Sequence, residues 1–181
     1  MRIGHHLIVG GQRSGKSGQA ERLALASGQE VCVIATAQAG DQEMAERIAH
    51  HRAMRPAAFR TVEAPLALAE VLRAEAQPGR LLLVDCLTLW LTNWLMPLEG
   101  PSDLHAWQRE RQALLDLMPD LPSPLIMISN EVGWGVSPMS REARFFVDEL
   151  GRLNQAVASR CRTLTLMVAG QPWSRTVIPT P

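Results

Sequence analysis

Residues 10–17 read Gly10-Gly11-Gln12-Arg13-Ser14-Gly15-Lys16-Ser17, directly after the apolar run Leu7-Ile8-Val9. A helical pattern opens at Gly18-Gln19-Ala20-Glu21. The spelling G-x-x-x-x-G-K-[ST] between strand and helix is that of a phosphate-binding P-loop. It commits the chain to a strand whose carboxyl end feeds a helix N-terminus. Glycines let the backbone turn tightly enough for its N–H groups to converge on a polyphosphate at the positive end of that helix. Lys16 is placed to reach the β- and γ-phosphates, and the Ser17 hydroxyl to hold Mg2+. Of eighteen Lys plus Arg residues, seventeen are Arg, and Lys16 is the only lysine. An ammonium is a compact point charge where a guanidinium is a planar fork, so a lone lysine here marks a specific demand of the site.

At 181 residues with 46% apolar content, the chain suits one well-cored domain spanning residues 1–181. A formal net charge of +0, with arginines scattered among acids, points away from nucleic-acid and acidic-membrane partners. Cys32, Cys86 and Cys161 lie in or beside strand-like runs without metal-ligand spacing, and read as small buried hydrophobes in a reducing cytoplasm. The N-terminal apolar run is too short for a signal peptide. The longest apolar stretch, residues 81–98, is interrupted by Asp85, Asn93 and two threonines, which excludes a membrane span there. His5-His6 stands at the entrance of the first strand and reads as structural.

Five short apolar runs, residues 6–9, 31–35, 81–84, 125–128 and 164–168, alternate with amphipathic segments of helical period. Continuous apolarity suits strands buried on both faces, so the expected class is α/β: a mostly parallel sheet with helices on both faces. Ala35, Thr36 and Ala37 end the second strand, where ligands of open α/β sheets sit. Asp41 or Gly40 can cap the next helix, about residues 41–53. On it Met44, Ile48 and His51 share one face, and Glu43, Glu46, Arg47 and His50 share a polar one. Two readings of His50-His51 stay open from the residues alone. They are histidines favoured at a helix C-terminus, or one is a nucleophile or acid–base group facing a nucleotide. Arg52, Arg55 and Arg60 can likewise be phosphate contacts or a solvated basic face.

Residues 61–65 read as strand-like or irregular before a helix over about 65–76. Leu81-Leu82-Leu83-Val84-Asp85 has the form of a Walker B strand, with a carboxylate able to hold Mg2+ beside Ser17. Trp90 and Trp94 are spaced to share a helix face, read as core or an oligomer face. The helix over about residues 104–117 reads as solvated. Ser129-Asn130-Glu131 at the end of the fourth run is either a second site segment or an ordinary loop. A long helix of roughly residues 139–160 carries Ala143, Phe146, Val147, Leu150, Leu153 and Val157 as a core stripe. After Gly170 the chain is expected to be an irregular tail with two further prolines.

Taken in order, the P-loop, Ile34-Ala35-Thr36-Ala37, the segment from Glu43 to Arg52 with Arg55-Pro56, and Thr61-Val62-Glu63 form a recognisable series. Val84-Asp85-Cys86-Leu87-Thr88, Ser129-Asn130-Glu131-Val132-Gly133 and Gly151-Arg152-Leu153-Asn154-Gln155 continue it. The series resembles the bifunctional adenosylcobinamide kinase / adenosylcobinamide-phosphate guanylyltransferase family of cobalamin biosynthesis. That resemblance implies a single RecA-like P-loop NTPase domain, commonly a homotrimer. It also implies two reactions. A nucleoside triphosphate, ATP or GTP, phosphorylates the aminopropanol hydroxyl of adenosylcobinamide; GTP then gives GMP to the phosphate through a guanylyl-histidine. The matching nucleophile is His50. The nucleotide contacts match the P-loop, Ala35-Thr36-Ala37, His51-Arg52-Ala53-Met54, Glu63 and Asp85. The tail after Gly170, Trp134 and Ser137-Pro138-Met139 match no part of the pattern. Without the resemblance the residues also admit a single-function P-loop kinase for another small metabolite, or a non-catalytic nucleotide-binding subunit.

Overall fold

The computed structural model describes residues 4–177. Seven strands form one sheet: β1 (His6–Gly10), β2 (Glu30–Ala35), β3 (Arg60–Glu63), β4 (Arg80–Asp85), β5 (Leu125–Asn130), β6 (Thr163–Val168) and β7 (Gln171–Thr176). Their order is β3-β2-β4-β5-β1-β6-β7, parallel throughout except for β7, which runs antiparallel to β6. The helices are α1 (Lys16–Ala26), α2 (Gln42–Met54), α3 (Leu68–Glu75), α4 (Leu87–Leu95), α5 (Leu104–Leu117) and α6 (Arg141–Ala158).

Because side chains alternate along a strand, each buried strand feeds two cores. Leu7, Val9, Ile34, Leu82, Val84, Leu125 and Met127 face one side, packing with Leu68 and Leu72 of α3, Trp90 of α4, Leu114 of α5 and Leu153 of α6. Ile8, Val31, Val33, Leu81, Leu83, Ile126 and Ile128 face the other, where Ala20 and Ala24 of α1 lie. The larger core is anchored by Trp90 and Trp107, edge to face with centroids 5.0 Å apart. Both indole N–H groups are satisfied: Trp90 donates to the Leu66 carbonyl at 2.8 Å and Trp107 to Glu149 at 3.0 Å.

His5 and His6 brace β1 from outside the site. His5 Nε2 lies 2.6 Å from the Met118 carbonyl and His6 Nε2 2.7 Å from the Thr165 hydroxyl. Burial lowers the pKa of both, offset for His5 by the Met118 carbonyl.

Two expectations are corrected. The segment after Gly170 is a strand, not an irregular tail. Ala169 and Gly170 turn the chain at positive φ, and Thr165 and Ser174 join hydroxyls across the pair at 2.7 Å. Every residue of β7 is exposed, so it carries no apolar signature, and Pro172 is tolerated because the strand is an edge. The two further prolines of that expectation lie outside the described residues. Helix α5 is not solvated all round, since it buries Trp107, Leu114 and Leu115 behind its charged face. Residues 61–63, left between strand and loop by the sequence, belong to edge strand β3.

Candidate active site

Sheet register sets the site. Gly10 pairs with Asn130, Ala35 with Asp85, and Asp85 with Ile128, so β2 and β4 end level with each other and β1 and β5 run two residues further at the same edge. The P-loop leaves β1 through Gly10, where an added Cβ would lie 2.5 Å from the Met167 carbonyl and 2.8 Å from the Ser14 hydroxyl. Only glycine passes that gap. Gly15, at φ +96°, then forms the left-handed N-cap of α1.

A cleft of about 520 Å³ opens above these strand ends. Its walls include Gln12, Arg13, Ser14, Gly15, Lys16 and Ser17 from the P-loop, Ala35 and Ala37 after β2, Asp85 of β4 and His51 of α2. Lys16 is buried and donates from Nζ to the Gly11 carbonyl at 2.6 Å. Burial lowers its pKa, while Cys86 and Asp85 act in the opposite sense. The Ser14 hydroxyl is buried without a protein partner. A buried unpaired hydroxyl is costly, and a phosphate oxygen in the loop would satisfy it. Ser17 and Asp85 both offer the hard oxygen ligands that Mg2+ takes, so the residues present fit a magnesium nucleotide.

Several anticipated residues stand elsewhere. Gly10 and Gly11 shape the loop without lining the cleft, and Thr36 is fully buried. The Thr36 hydroxyl donates to the Cys86 carbonyl at 2.7 Å and accepts from the Cys86 N–H at 2.9 Å, clamping the end of β4 to that of β2. Arg52 and Glu63 pair with each other on the exposed edge, and Ala53 and Met54 are exposed at the end of α2. His50 is exposed and does not line the cleft, whereas His51 does, with Met44, Arg47 and Ile48 from the same helix.

Other cleft residues were open alternatives or unassigned in the sequence. Arg55, one of the three ambiguous arginines, pairs with Asp85 at 3.2 Å, both side chains largely buried at 9% and 19% exposure. Asn130 lines the cleft, its N–H donating to Thr88 Oγ1 at 2.7 Å and its carbonyl accepting from Asn154 at 3.0 Å. Thr88 itself is a wall residue that carried no separate signal in the sequence. Among the described residues no cluster of three or more His, Cys, Asp or Glu could hold a metal. Mg2+ bound through phosphates, water and one or two protein oxygens needs none.

One strand, β5, separates the P-loop strand β1 from the acid-ended strand β4. With the P-loop on one and a carboxylate on the other, this defines a RecA-like P-loop nucleotide-binding domain. An ATPase of the type III secretion system of pathogenic bacteria has a similar fold, with a TM-score of 0.51 at 13% identity, over 91% of this chain and 52% of that one. Closer relatives come from sequence. The bifunctional adenosylcobalamin biosynthesis protein CobP of Pseudomonas aeruginosa is 58% identical over 92% of this chain and 94% of its own length. CobU of Escherichia coli, also described as a bifunctional adenosylcobalamin biosynthesis protein, is 39% identical over 91% of this chain and 95% of its own. The chain belongs to the cobinamide kinase / cobinamide phosphate guanyltransferase family, whose model matches residues 6–174.

Proposed function

We propose that this protein phosphorylates the aminopropanol hydroxyl of adenosylcobinamide with ATP or GTP. It then transfers GMP from GTP to that phosphate, making adenosylcobinamide-GDP in cobalamin biosynthesis. The observation that carries this reading is the convergence in one cleft of the P-loop, Asp85 and the histidine-bearing helix, in a chain of this family.

In the first step the substrate hydroxyl oxygen bonds to the γ-phosphorus, its O–H bond breaks with the proton released to solvent, and the nucleoside diphosphate leaves. Lys16 and the P-loop N–H groups meet the charge that develops on the phosphoryl oxygens. Ser17 and Asp85 would hold Mg2+, which would neutralise phosphate charge. Arg55, paired with Asp85 in this structure, is positioned to turn its guanidinium to a phosphate once Asp85 has another cation. In the second step a neutral imidazole nitrogen bonds to the α-phosphorus and pyrophosphate leaves. A phosphate oxygen of the cobinamide phosphate then takes the GMP and the histidine is regenerated.

His50 is the nucleophile by family resemblance, yet His51 is the one on the cleft wall. A rotation of α2 by one residue, about 100°, exchanges them. No residue of α2 is buried and only Met44 and Ile48 are half-buried, so little packing opposes that rotation. The pairing of Arg52 with Glu63 on the rim gives the guanosine end polar groups to meet. We further propose one domain for both reactions, assembled as a homotrimer.

Incubation with α-labelled GTP and Mg2+ tests this. The expected product is an acid-labile, alkali-stable label, lost in His50→Ala and kept in His51→Ala. Phosphorylation of adenosylcobinamide should survive His50→Ala but not Lys16→Ala. The opposite pattern would move the nucleophile to His51. No covalent label under any nucleotide condition would leave a single-function kinase.

A further inference from the structure

A second cavity, of about 600 Å³, lies on the other flank of the P-loop from the main cleft. Its lining comes from α1 (Gly18, Gln19, Arg22) and from the β6–β7 hairpin (Gly170, Gln171, Pro172). Gly15 borders both cavities, so they meet at the N-terminus of α1. The hairpin is fixed to the loop: the Gly170 N–H donates to the Ser14 carbonyl at 3.1 Å, and an added Cβ on Gly15 would sit 3.4 Å from the Gly170 Cα. The edge strand that carries no apolar signal is thereby placed against the phosphate cradle.

The two proposed reactions make opposite demands on a triphosphate in that cradle. Transfer to a hydroxyl needs the γ-phosphorus in the main cleft, beside Asp85 and Asn130. The nucleoside of that triphosphate must then emerge on the opposite flank of α1. Attack by a histidine of α2 needs the α-phosphorus in the main cleft, which puts the nucleoside there too, between the end of β2 at Ala35 and Ala37 and helix α2. One orientation cannot serve both.

We infer that the cavity between α1 and the β6–β7 hairpin seats the ribose and purine of the nucleotide that donates its γ-phosphate, so that the P-loop takes triphosphates in two opposite directions. Its chemistry suits a purine nucleoside. The side-chain amides of Gln19 and Gln171 offer donors and acceptors for a base edge or ribose hydroxyls. Arg22, exposed and hydrogen-bonded to Gln19, presents a planar guanidinium for stacking on a base. An added Cβ on Gly18 or Gly170 would meet nothing within 4 Å, so their bare backbones leave room on both walls. The inference rests on the bifunctional reading above, and it assigns a role to a hairpin whose residues carried no motif in the sequence.

The test compares two constants in the same preparations. Wild type and an Arg22→Ala/Gln171→Ala double variant are assayed for the nucleotide KM of adenosylcobinamide phosphorylation and for the GTP concentration that half-saturates self-labelling. Both side chains are exposed, and an unchanged thermal midpoint verifies folding. The kinase KM should rise about tenfold, the loss of one or two modest contacts, with the labelling midpoint within about twofold of wild type. Movement of both constants together, or of neither, overturns the inference and leaves the bifunctional reading intact. Absence of wild-type phosphorylation overturns the reading and the inference with it. A separate readout is photocrosslinking with 8-azido-ATP and Mg2+. Crosslinks in the peptides carrying Arg22 or Gln171 are expected; crosslinks confined to α2 and β3 overturn it.

Discussion

Helices α1 and α2 both follow strands whose carboxyl ends open on the main cleft, yet they are held in opposite ways. Lys16, Gln19, Ala20 and Ala24 of α1 are buried, and its N-terminus is locked between Gly10, Met167 and Gly170. Helix α2 buries none of its residues and is fastened at its start by the Asp41 carboxylate accepting the Met44 N–H at 2.7 Å. On the proposed function, the difference separates two tasks. A phosphate cradle gains from donors fixed in advance, because no reorganisation is then needed as charge develops. A group that must act in one step and stand aside in another gains from an element at the low-stability end of the fold. The cradle belongs to the core; the histidines belong to a helix the core does not hold.

The sharpest way to break this comparison is kinetic. Lys16→Ala should lower both reactions by roughly 10²–10³-fold, as loss of a fixed transition-state donor does, and Lys16→Arg should not restore them. A variant that lost one reaction only would show that the cradle does not serve both. In stability, Gly10→Ala should cost on the order of 1–3 kcal/mol in a denaturant titration, because its Cβ meets backbone. Ala49→Gly in α2 lowers local helix propensity by about 1 kcal/mol, yet should leave the global midpoint unmoved. Hydrogen exchange should then show α2 amides far less protected than those of β1, with GTP and Mg2+ slowing exchange in α2.

A smaller effect concerns pH. Burial holds the folded pKa of His5 and His6 below 6.5, so the unfolded chain takes up protons first as pH falls. Stability present above pH 6.5 should therefore decline below it, until pH reaches the folded values. His5→Gln/His6→Gln should flatten that decline. Burial works against the charge of Glu149, but Trp107, Arg152 and Arg111 outweigh it and leave the pKa lowered from 4.5. A second decline below pH 4.5 is expected, absent in Glu149→Gln. The smallest effect lies on α2 itself. Arg47 and Glu43 are 3.7 Å apart at 42% and 82% exposure, and Glu43→Ala should change stability by under about 0.5 kcal/mol.

Much of the fold was legible because its strands are buried on both faces and so read as apolar runs. All five runs named from the sequence are strands. The segments it misjudged are those whose environment leaves no composition signal: β7, exposed along its length, and α5, whose charged outer face hid Trp107, Leu114 and Leu115. The site divides similarly. Spacing singled out the P-loop and Asp85, which the fold brings to one cleft, because phosphate chemistry needs those residue types in contiguous or strand-end positions. Arg55 remained ambiguous because its meaning depends on Asp85, thirty residues away in sequence and 3.2 Å away in space. Among the described residues no helix is long and apolar enough to cross a membrane.

Local chemistry alone determined that this chain carries a P-loop between a strand and a helix N-terminus, that its sheet is mostly parallel, and which family pattern it follows. Each of those depends on neighbours in sequence or on a short period. Tertiary structure decided which way each side chain of α2 faces, that β5 separates the P-loop from Asp85, and that the last hairpin closes on Ser14. Those depend on register and packing between segments far apart in the chain, where no local spacing records the outcome.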